Sequence, residues 1–499
     1  MTTFTSFSFP ATGTPTSRTL PARLSDIADV KDFGATGDGV TDDYDAIRAA
    51  YDHGIVTLVA TQDSVGSTIT FASVPSTVTT LMFAKDATNP SALQPPSVSR
   101  VASKTATTVT LGFISGEGAV QAGDTITFNL SQKGTIFFPS GTYLISEPLI
   151  IDGAGFRLLG VGPASTITAN FSGYMLTRED SNNVDSSQLS SVENLTLINT
   201  HATGGGIRFG KSTLGAVRNL DITANKGVAF CSDDTPAPAS GPLDMSMENI
   251  SVSPGANVSG SIGIMSLSNG PITNCRIIGY ASGMRVYGNQ GGFNILGCYF
   301  EGNIIGLELG VSPNGTSALS GGMIMSGCWF KNNGTAIKFG GASGVLGAGG
   351  GRFCGIRIEA DEDVLINGSR PQYGIHIPSG KYGNSLFAGI IVTGQYDQYG
   401  IYIGEDTSNN NNWMGIQVEN TSTHGGLTWR MPTTTTAKYV GCNVVPVLTV
   451  AGLPSSKFEG NSYNVSDSNV STWGDTATGS GSTHAKVRWN GANWTVVGK

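Results

Sequence analysis

ITNCRI at 272–277, ILGCYF at 295–300, MSGCWF at 325–330, FCGIRI at 353–358, FAGIIV at 387–392 and WMGIQV at 413–418 are variants of one phrase. Each sets Asn or Gly before an apolar residue, a free choice and a second apolar residue. VENLTL at 192–197, VRNLDI at 217–222 and MENISV at 247–252 carry the same register further back. Alternation of period two sends the apolar pair to one face of a strand and the free residues to the other. A second family of short strands is interleaved with these: IRFG at 207, VAFC at 228, IMSL at 264, MRVYG at 284, LELG at 307, IKFG at 337, IHIP at 375 and IYIG at 401. It recurs about every 28 residues, a period that marks a stacked repeat. One such coil can bury its apolar face only against the coils above and below. The expected fold is therefore all-β, a right-handed parallel β-helix over residues 134–425, the hand following the usual preference of parallel crossovers.

Composition agrees. Glycine supplies 69 of 499 residues while charged residues are 13 %, which suits a turn-rich β protein and excludes a coiled coil or a disordered chain. A net charge of −8 argues against capture of nucleic acid or anionic lipid. No apolar run long enough to span a bilayer is present, and the opening MTTFTSFSFPATGTPTSRTL reads as no secretory signal. The six cysteines lack CxxC pairing, so neither a zinc module nor a disulfide scaffold is expected, and no metal or cofactor is implied. Cys275, Cys298 and Cys328 fall in one inward column, with Ile250 below and Ile356 above, as a ladder of buried thiols.

VKDFGATGDGVTDDYDAIRAAY at 30–51 resembles the opening of the pectate-lyase-like, polygalacturonase-like β-helix superfamily. SRTLPARLSDIADVKDFGATGDG just upstream resembles the junction that phage and prophage tail spikes place before that helix, and GTIFFPSGTYLIS at 134–146 resembles the family's continuation. The resemblance implies a homotrimer carried on the virion, made in the bacterial cytoplasm. Residues 1–28 would attach it to a tail or baseplate protein, and 29–54 would cap the solenoid. In that cap Thr41 is expected to N-cap a helix whose first turn holds Asp42 and Asp43 and which runs to Gly54, rather than DGVTDD holding calcium. Residues 55–133 interrupt the family pattern with five alternating segments and are expected to form a separate small β sandwich or barrel. Residues 426–499, where the repeat lapses, are expected to be a β cap or trimerisation region.

Stacked coils turn outward residues into columns about 4.8 Å apart, a spacing suited to an extended polysaccharide. On the phrase strands one column reads Asp221, Ser251, Arg276, Tyr299, Trp329, Arg357, Ile391, Gln417, and the other Thr223, Ser253, Ile278, Glu301, Lys331, Glu359, Thr393, Glu419. Aromatic faces stack on sugar rings and guanidinium groups hold acidic substituents, which makes Tyr299, Trp329, Lys331, Arg357 and Arg276 the candidate binding residues. Glu301 and Glu359, two coils apart and about 9.6 Å by backbone, fit the wider carboxylate spacing of inverting glycosidases. Glu359, beside Asp361, Glu362 and Asp363, is the candidate acid and Glu301 the base. The competing reading is a salt-bridged ladder on the surface or against another subunit.

A rival face lies on the interleaved strands, whose outward column is Arg208, Ala229, Met265, Arg285, Glu308, Lys338, His376, Tyr402, near loops 232–244 and 360–374. The candidates there are Arg285, Glu308, Lys338, His376 and Tyr402. Polygalacturonases place catalytic aspartates and a histidine just before the equivalent strand. This chain has Gly227, Ser282, Ile305, Thr335, Tyr373 and Tyr399 at those positions and lacks the family's motifs, so that activity is not carried over; Asp233 and Asp234 are expected to shape a loop. The resulting expectation is a tail-spike depolymerase that cleaves a bacterial capsule, exopolysaccharide or O-antigen, with hydrolysis favoured over elimination. The alternatives are a noncatalytic receptor-binding or structural tail protein and a secreted pectate-degrading enzyme, the last opposed by the missing signal.

Overall fold

The corner before the second row is a residue of positive φ in coil after coil: Asn194, Asn219, Asn249 and Asn274 at 52–57°, then Gly297, Gly327, Gly355, Gly389 and Gly415 at 58–65°; Gly279, Gly302, Asn332 and Gly394 add a second one after that row. Only glycine, or an amide side chain able to bond locally, enters this region without a large steric cost. That is the physical meaning of the Asn-or-Gly position in the repeated phrase. The residue after each bend is buried: Leu195, Leu220, Ile250, Cys275, Cys298, Cys328, Ile356, Ile390 and Ile416. A left-handed corner thus delivers an apolar side chain inward and restarts the strand on a new face.

The computed structural model describes residues 8–10, 17–19, 27–53, 56–80, 82–89, 92–93, 99–112, 119–130, 134–151, 156–178, 190–210, 215–231, 245–255, 259–266, 270–286, 294–309, 323–339, 351–361, 364–377, 385–404, 411–420, 427–430, 438–440, 442, 447–448, 450–453 and 462–498. It divides the chain into two units, Met1–Ile222 and Thr223–Lys499. Each contains coils of a parallel β-helix.

In the first unit, Ile27–Asp29 and Asp38–Asp42 pair in parallel with Thr135–Phe138 and Gly141–Ile145, which pair in turn with Arg157–Gly160 and Ser165–Ala169. A third row runs through Leu149–Ile150, Gly173–Arg178 and Gly204–Phe209. The α-helix is Tyr44–Asp52, and its Ile47 and Tyr51 line one cavity with Ile136, Phe138, Leu149 and Leu158 of the first coils. Thr41 does not cap it. The hydroxyl of Thr41 donates to Asp38 at 2.8 Å inside a strand paired to the next coil, so the helix starts later, with Asp43 at the N-cap position. Asp43 instead turns its carboxylate back to accept from the backbone N–H of Thr36 (2.6 Å) and Gly37 (3.1 Å).

Between Asp52 and Thr135 the chain builds two antiparallel three-stranded sheets. One is Val56–Val59, Thr125–Leu130 and Met82–Asp86; the other is Thr68–Thr70, Thr108–Leu111 and Val101–Lys104. They share a core of Ile69, Phe71, Val109, Ile126 and Phe128. At its edge Asp86 is fully buried, one carboxylate oxygen accepting from Thr88 N–H (2.9 Å) and Asn89 N–H (2.8 Å). The other meets no donor among the described residues, and the side chain faces Asp124; burial, then the charge of Asp124, raises the Asp86 pKa.

In the second unit, Ile272–Thr273, Asn294–Leu296, Ile324–Ser326, Arg352–Cys354, Leu386–Ala388 and Asn412–Met414 form one row, and Arg276–Ile278, Tyr299–Glu301, Trp329–Lys331, Arg357–Ala360, Ile391–Gly394 and Gln417–Asn420 the next. Ile262–Ser266, Ser282–Val286, Ile305–Leu309, Thr335–Phe339, Tyr373–Ile377 and Tyr399–Ile403 make the third. Parallel pairing continues past residue 425, through Leu427–Arg430 and Lys438–Val440. The coil pattern therefore outlasts the phrase that revealed it, because pairing needs only backbone in register.

Aromatic residues stack inside this unit. Phe300 lies on Phe330 at 4.4 Å, Phe353 on Phe387 at 4.8 Å, and Phe387 on Trp413 at 4.0 Å, all near parallel. Cys275, Cys298 and Cys328 are buried free thiols, as the column requires. At the corner after the second row, Asn303 and Asn333 form an internal amide ladder. Asn303 accepts from Tyr280 N–H (2.9 Å) and donates to Ile277 C=O (3.1 Å) and to the Asn333 side-chain oxygen (2.9 Å). Asn333 in turn donates to Phe300 C=O at 2.9 Å. The C-terminal residues form a four-stranded sheet of Val447–Leu448, Ser462–Ser468, Thr483–Trp489 and Trp494–Gly498.

Candidate functional site

Burial of Ile277, Phe300, Phe330, Ile358, Val392 and Val418 aims the residues on either side of them away from the core. Cross-strand register aligns Arg276, Tyr299, Trp329, Arg357, Ile391 and Gln417 in one outward column. Ile278, Glu301, Lys331, Glu359, Thr393 and Glu419 form the other. The Arg276 guanidinium lies 5.8 Å over the Tyr299 ring, Tyr299 meets the edge of Trp329 at 5.1 Å, and Arg357 lies 5.4 Å over Trp329. Cations over ring faces attract the ring quadrupole, which holds the four side chains as one strip while leaving Trp329 38 % exposed.

The carboxylates beside this strip are both engaged. Glu301 lies 3.6 Å from Arg276; burial, then the nearby Glu301 carboxylate, pushes the Tyr299 phenol up to about 12. Glu359 accepts from the Trp329 indole N–H at 3.0 Å with one oxygen and from Arg357 with the other. Lys331, although it stands between the two glutamates in the column, pairs with Asp361 at 3.4 Å. Asp361 is fixed by Asn332, whose side-chain N–H₂ donates at 2.9 Å and whose oxygen accepts from Asp361 N–H at 2.7 Å; the first of these bonds, with help from Lys331, lowers the Asp361 pKa. Glu362 and Asp363 lie outside the described residues.

The rival column is in register from Met265 through Arg285, Glu308, Lys338 and His376 to Tyr402. It is less open than an outward column should be. Ala229, Met265 and Glu308 are buried, and Glu308 is closed over by the side chains of its neighbours, pairing with Arg285 at 2.9 Å and Lys338 at 3.3 Å. Further along, His376 stacks on Tyr373 at 4.2 Å and meets the edge of Tyr402 at 5.1 Å. Burial, then the Lys338 charge, pushes the imidazole down to about 4, so it is neutral at neutral pH. Arg208 belongs to the first unit, and Asp233 and Asp234 lie outside the described residues. Among the described residues no group of three or more His, Cys, Asp or Glu side chains could hold a metal ion.

Residues 27–346 match the family described as rhamnogalacturonase A/epimerase, pectate lyase-like. The chain belongs to this family. No curated protein matches it. Solved structures similar to this pectate lyase-like chain include the Azotobacter vinelandii mannuronan C-5 epimerase AlgE6 A-module (13 % identity, TM-score 0.41, 84 % of this chain and 99 % of that one). The tailspike gp49 of Pseudomonas phage LKA1 matches at 16 % identity and TM-score 0.40 over 88 % and 85 % of the two chains. ORF18 of Geobacillus virus E2 matches at 13 % and 0.37, over 95 % and 69 %.

Two features of the pectate lyase-like coils escape a reading by columns alone. Tyr373 and Tyr399, aligned on adjacent strands with centroids 6.4 Å apart, join His376 and Tyr402 in an aromatic cluster. The signal was available, since both tyrosines recur three residues before the outward position of their strand. Asn332, which anchors Asp361 from a corner of positive φ, carried no such signal.

Proposed function

We propose that this pectate lyase-like chain is a phage or prophage tail spike, a homotrimer that binds a bacterial surface polysaccharide along the strip Arg276–Tyr299–Trp329–Arg357 and hydrolyses it with Glu301 and Glu359. The observation that carries the reading is the strip itself: two exposed guanidinium groups and two rings, in contact and one coil apart, flanked by carboxylates. The tail-spike assignment rests on the sequence junction at residues 17–39, and attachment through residues 1–28 follows from it. The register, with one coil between the glutamates, supports an inverting arrangement with room for a water. Arg357 and the Trp329 indole each donate to one oxygen of Glu359, which orients its carboxyl group beside the strip. The roles follow the acidic run beside Glu359, with Glu359 as the acid and Glu301 as the base.

A second reading is elimination on the rival face, where His376, beside Tyr373 and Tyr402 and next in the column to Lys338, would take a proton from a uronate carbon. Incubation with purified host polysaccharide separates the cases. New reducing ends report hydrolysis, ultraviolet absorbance of an unsaturated uronate reports elimination, and binding with neither product makes the protein an adhesin. Glu301→Gln and Glu359→Gln are each expected to reduce release of reducing ends by at least a hundredfold with the oligomer intact. Unchanged rates in both variants would remove the pair from the mechanism.

A further inference from the structure

One end of the inserted sheet pair gathers two acids on its inner side. Asp86 closes the strand Met82–Asp86 and lies directly across from Ile126 of Thr125–Leu130. Residues opposite each other in an antiparallel pair share a face, so Asp86 stands on the same side as the buried Ile126. Asp124, two positions before Ile126, comes to that side as the diagonal neighbour of Asp86, about 7 Å away by backbone. Asp86 is fully buried and Asp124 is 7 % exposed.

Each carboxylate is anchored by one oxygen to its own turn. Asp86 accepts from Thr88 N–H (2.9 Å) and Asn89 N–H (2.8 Å), and Asp124 accepts from Gln121 N–H (2.7 Å). The two turns are also tied to each other. Ala87 N–H donates to Thr125 C=O at 2.8 Å, Thr125 N–H to the Thr88 hydroxyl at 3.0 Å, and the Asn89 side chain to Ala119 C=O at 3.4 Å. These bonds aim the acids without neutralising them. Among the described residues neither acid makes an ion pair, and Asp63 on the adjoining loop, which accepts from Ala122 N–H at 2.9 Å, adds charge of the same sign.

A second observation is what the anchoring leaves over. The remaining oxygen of Asp86 is buried, faces Asp124 and meets no donor among the described residues. A buried carboxylate oxygen in that position is costly unless something positive meets it. Two facing acids stay together by sharing a proton or by holding a cation between them. A proton serves in acid; at neutral pH and above the cation is the better partner. Residues 54–133 contain no histidine or cysteine, so the donors there are oxygens alone, which suits a hard cation and not zinc. Magnesium gives up its water reluctantly and demands strict octahedral geometry, whereas calcium accepts irregular oxygen shells.

We propose that Asp86 and Asp124 form a calcium site that clasps the turn 86–89 to the turn 121–124, with carbonyl oxygens and water completing the shell. Two charged ligands place the affinity in the weak range, a Kd of about 10⁻⁴–10⁻³ M. The inference is independent of what the solenoid faces do.

Hydrogen exchange of the full chain at about pH 7.5, followed by mass spectrometry in about 5 mM calcium chloride, about 5 mM magnesium chloride or a chelator, tests it. Peptides spanning 86–89 and 121–124 are expected to exchange roughly tenfold more slowly in calcium than in chelator, because a ligand of the closed form at about ten times its Kd suppresses opening by that factor. Magnesium is expected to change them less than about twofold. Asp86→Asn/Asp124→Asn, whose amide oxygens can keep the backbone anchors, should exchange alike in calcium and in chelator, and Asp63→Asn should keep the response. Equal exchange of the wild type in calcium and chelator, equal slowing by magnesium, a response that survives in the double variant, or one lost in Asp63→Asn as well would each overturn the assignment. The wild-type comparison needs no substitution, and peptides spanning 126–130 in chelator report whether the double variant keeps its sheets.

Discussion

Replacing Asn303 by alanine tests the internal scaffold behind the glutamate face. The side chain is fully buried and serves three groups: it accepts from Tyr280 N–H and donates to Ile277 C=O and to the Asn333 amide oxygen. Alanine leaves the Tyr280 donor orphaned among buried neighbours, while the Asn333 oxygen keeps the backbone N–H of residue 303 at 3.1 Å. One buried unsatisfied donor costs about 1–3 kcal/mol and each of the two acceptors that lose a partner about 0.5–1.5, so a loss of about 2–6 kcal/mol is expected. At about 1.4 kcal/mol per decade this corresponds to a faster exchange of the Tyr280 amide by roughly thirtyfold to about ten-thousandfold. Hydrogen exchange followed by mass spectrometry on peptides spanning residue 280 reads that rate, with peptides from the sheet pair 56–130 as an internal control. Exchange at the wild-type rate would show that the ladder holds nothing, and that stacking of Phe300 on Phe330 alone keeps the corner closed.

Three further outcomes are expected. Asp86 has a raised folded-state pKa, so its contribution to the 56–130 sheets is complete below its unfolded pKa and is lost as pH rises through the folded value; Asp86→Asn should abolish that loss, and thermal melts at acid and neutral pH that shift in parallel for wild type and variant would refute it. His376 has a lowered pKa, so its environment is fully stabilising above about pH 6.5 and weakens as pH falls toward about 4; the imidazole proton resonance should titrate near 4, and a midpoint near 6.5 would show an open ring. Under native conditions Cys354, half-exposed, should react with a thiol reagent at least tenfold faster than the buried Cys275, Cys298 and Cys328, as timed by peptide mass mapping.

Much of the architecture was legible because one constraint recurs. A corner that demands Asn or Gly and then an inward apolar residue writes the same short phrase in every coil, and register follows once the phrases are aligned. The columns through Tyr299, Trp329 and Arg357 were therefore readable from letters alone. What those side chains do once adjacent was not. Lys331 has carboxylates at Glu301 and Glu359 in its own column yet turns to Asp361, which Asn332 has already anchored across a corner. Glu359 is claimed by a residue of its own strand, Arg357, and by an indole one coil away. These are choices among rotamers, which the period of a sequence does not encode. The helix start failed for a related reason: Asp38 captures the Thr41 hydroxyl that would have capped it. The coils at 427–440 were missed because backbone pairing outlives the pattern of side chains.

The corner of positive φ separates two jobs that most folds entangle. One small or amide residue sets the bend, its successor fills the interior, and the outward neighbours are left without architectural duty. Outward letters can then drift freely, and a whole turn can be gained or dropped, while the winding of the remainder survives. Such a chain can keep its shape through many generations of change in what it touches.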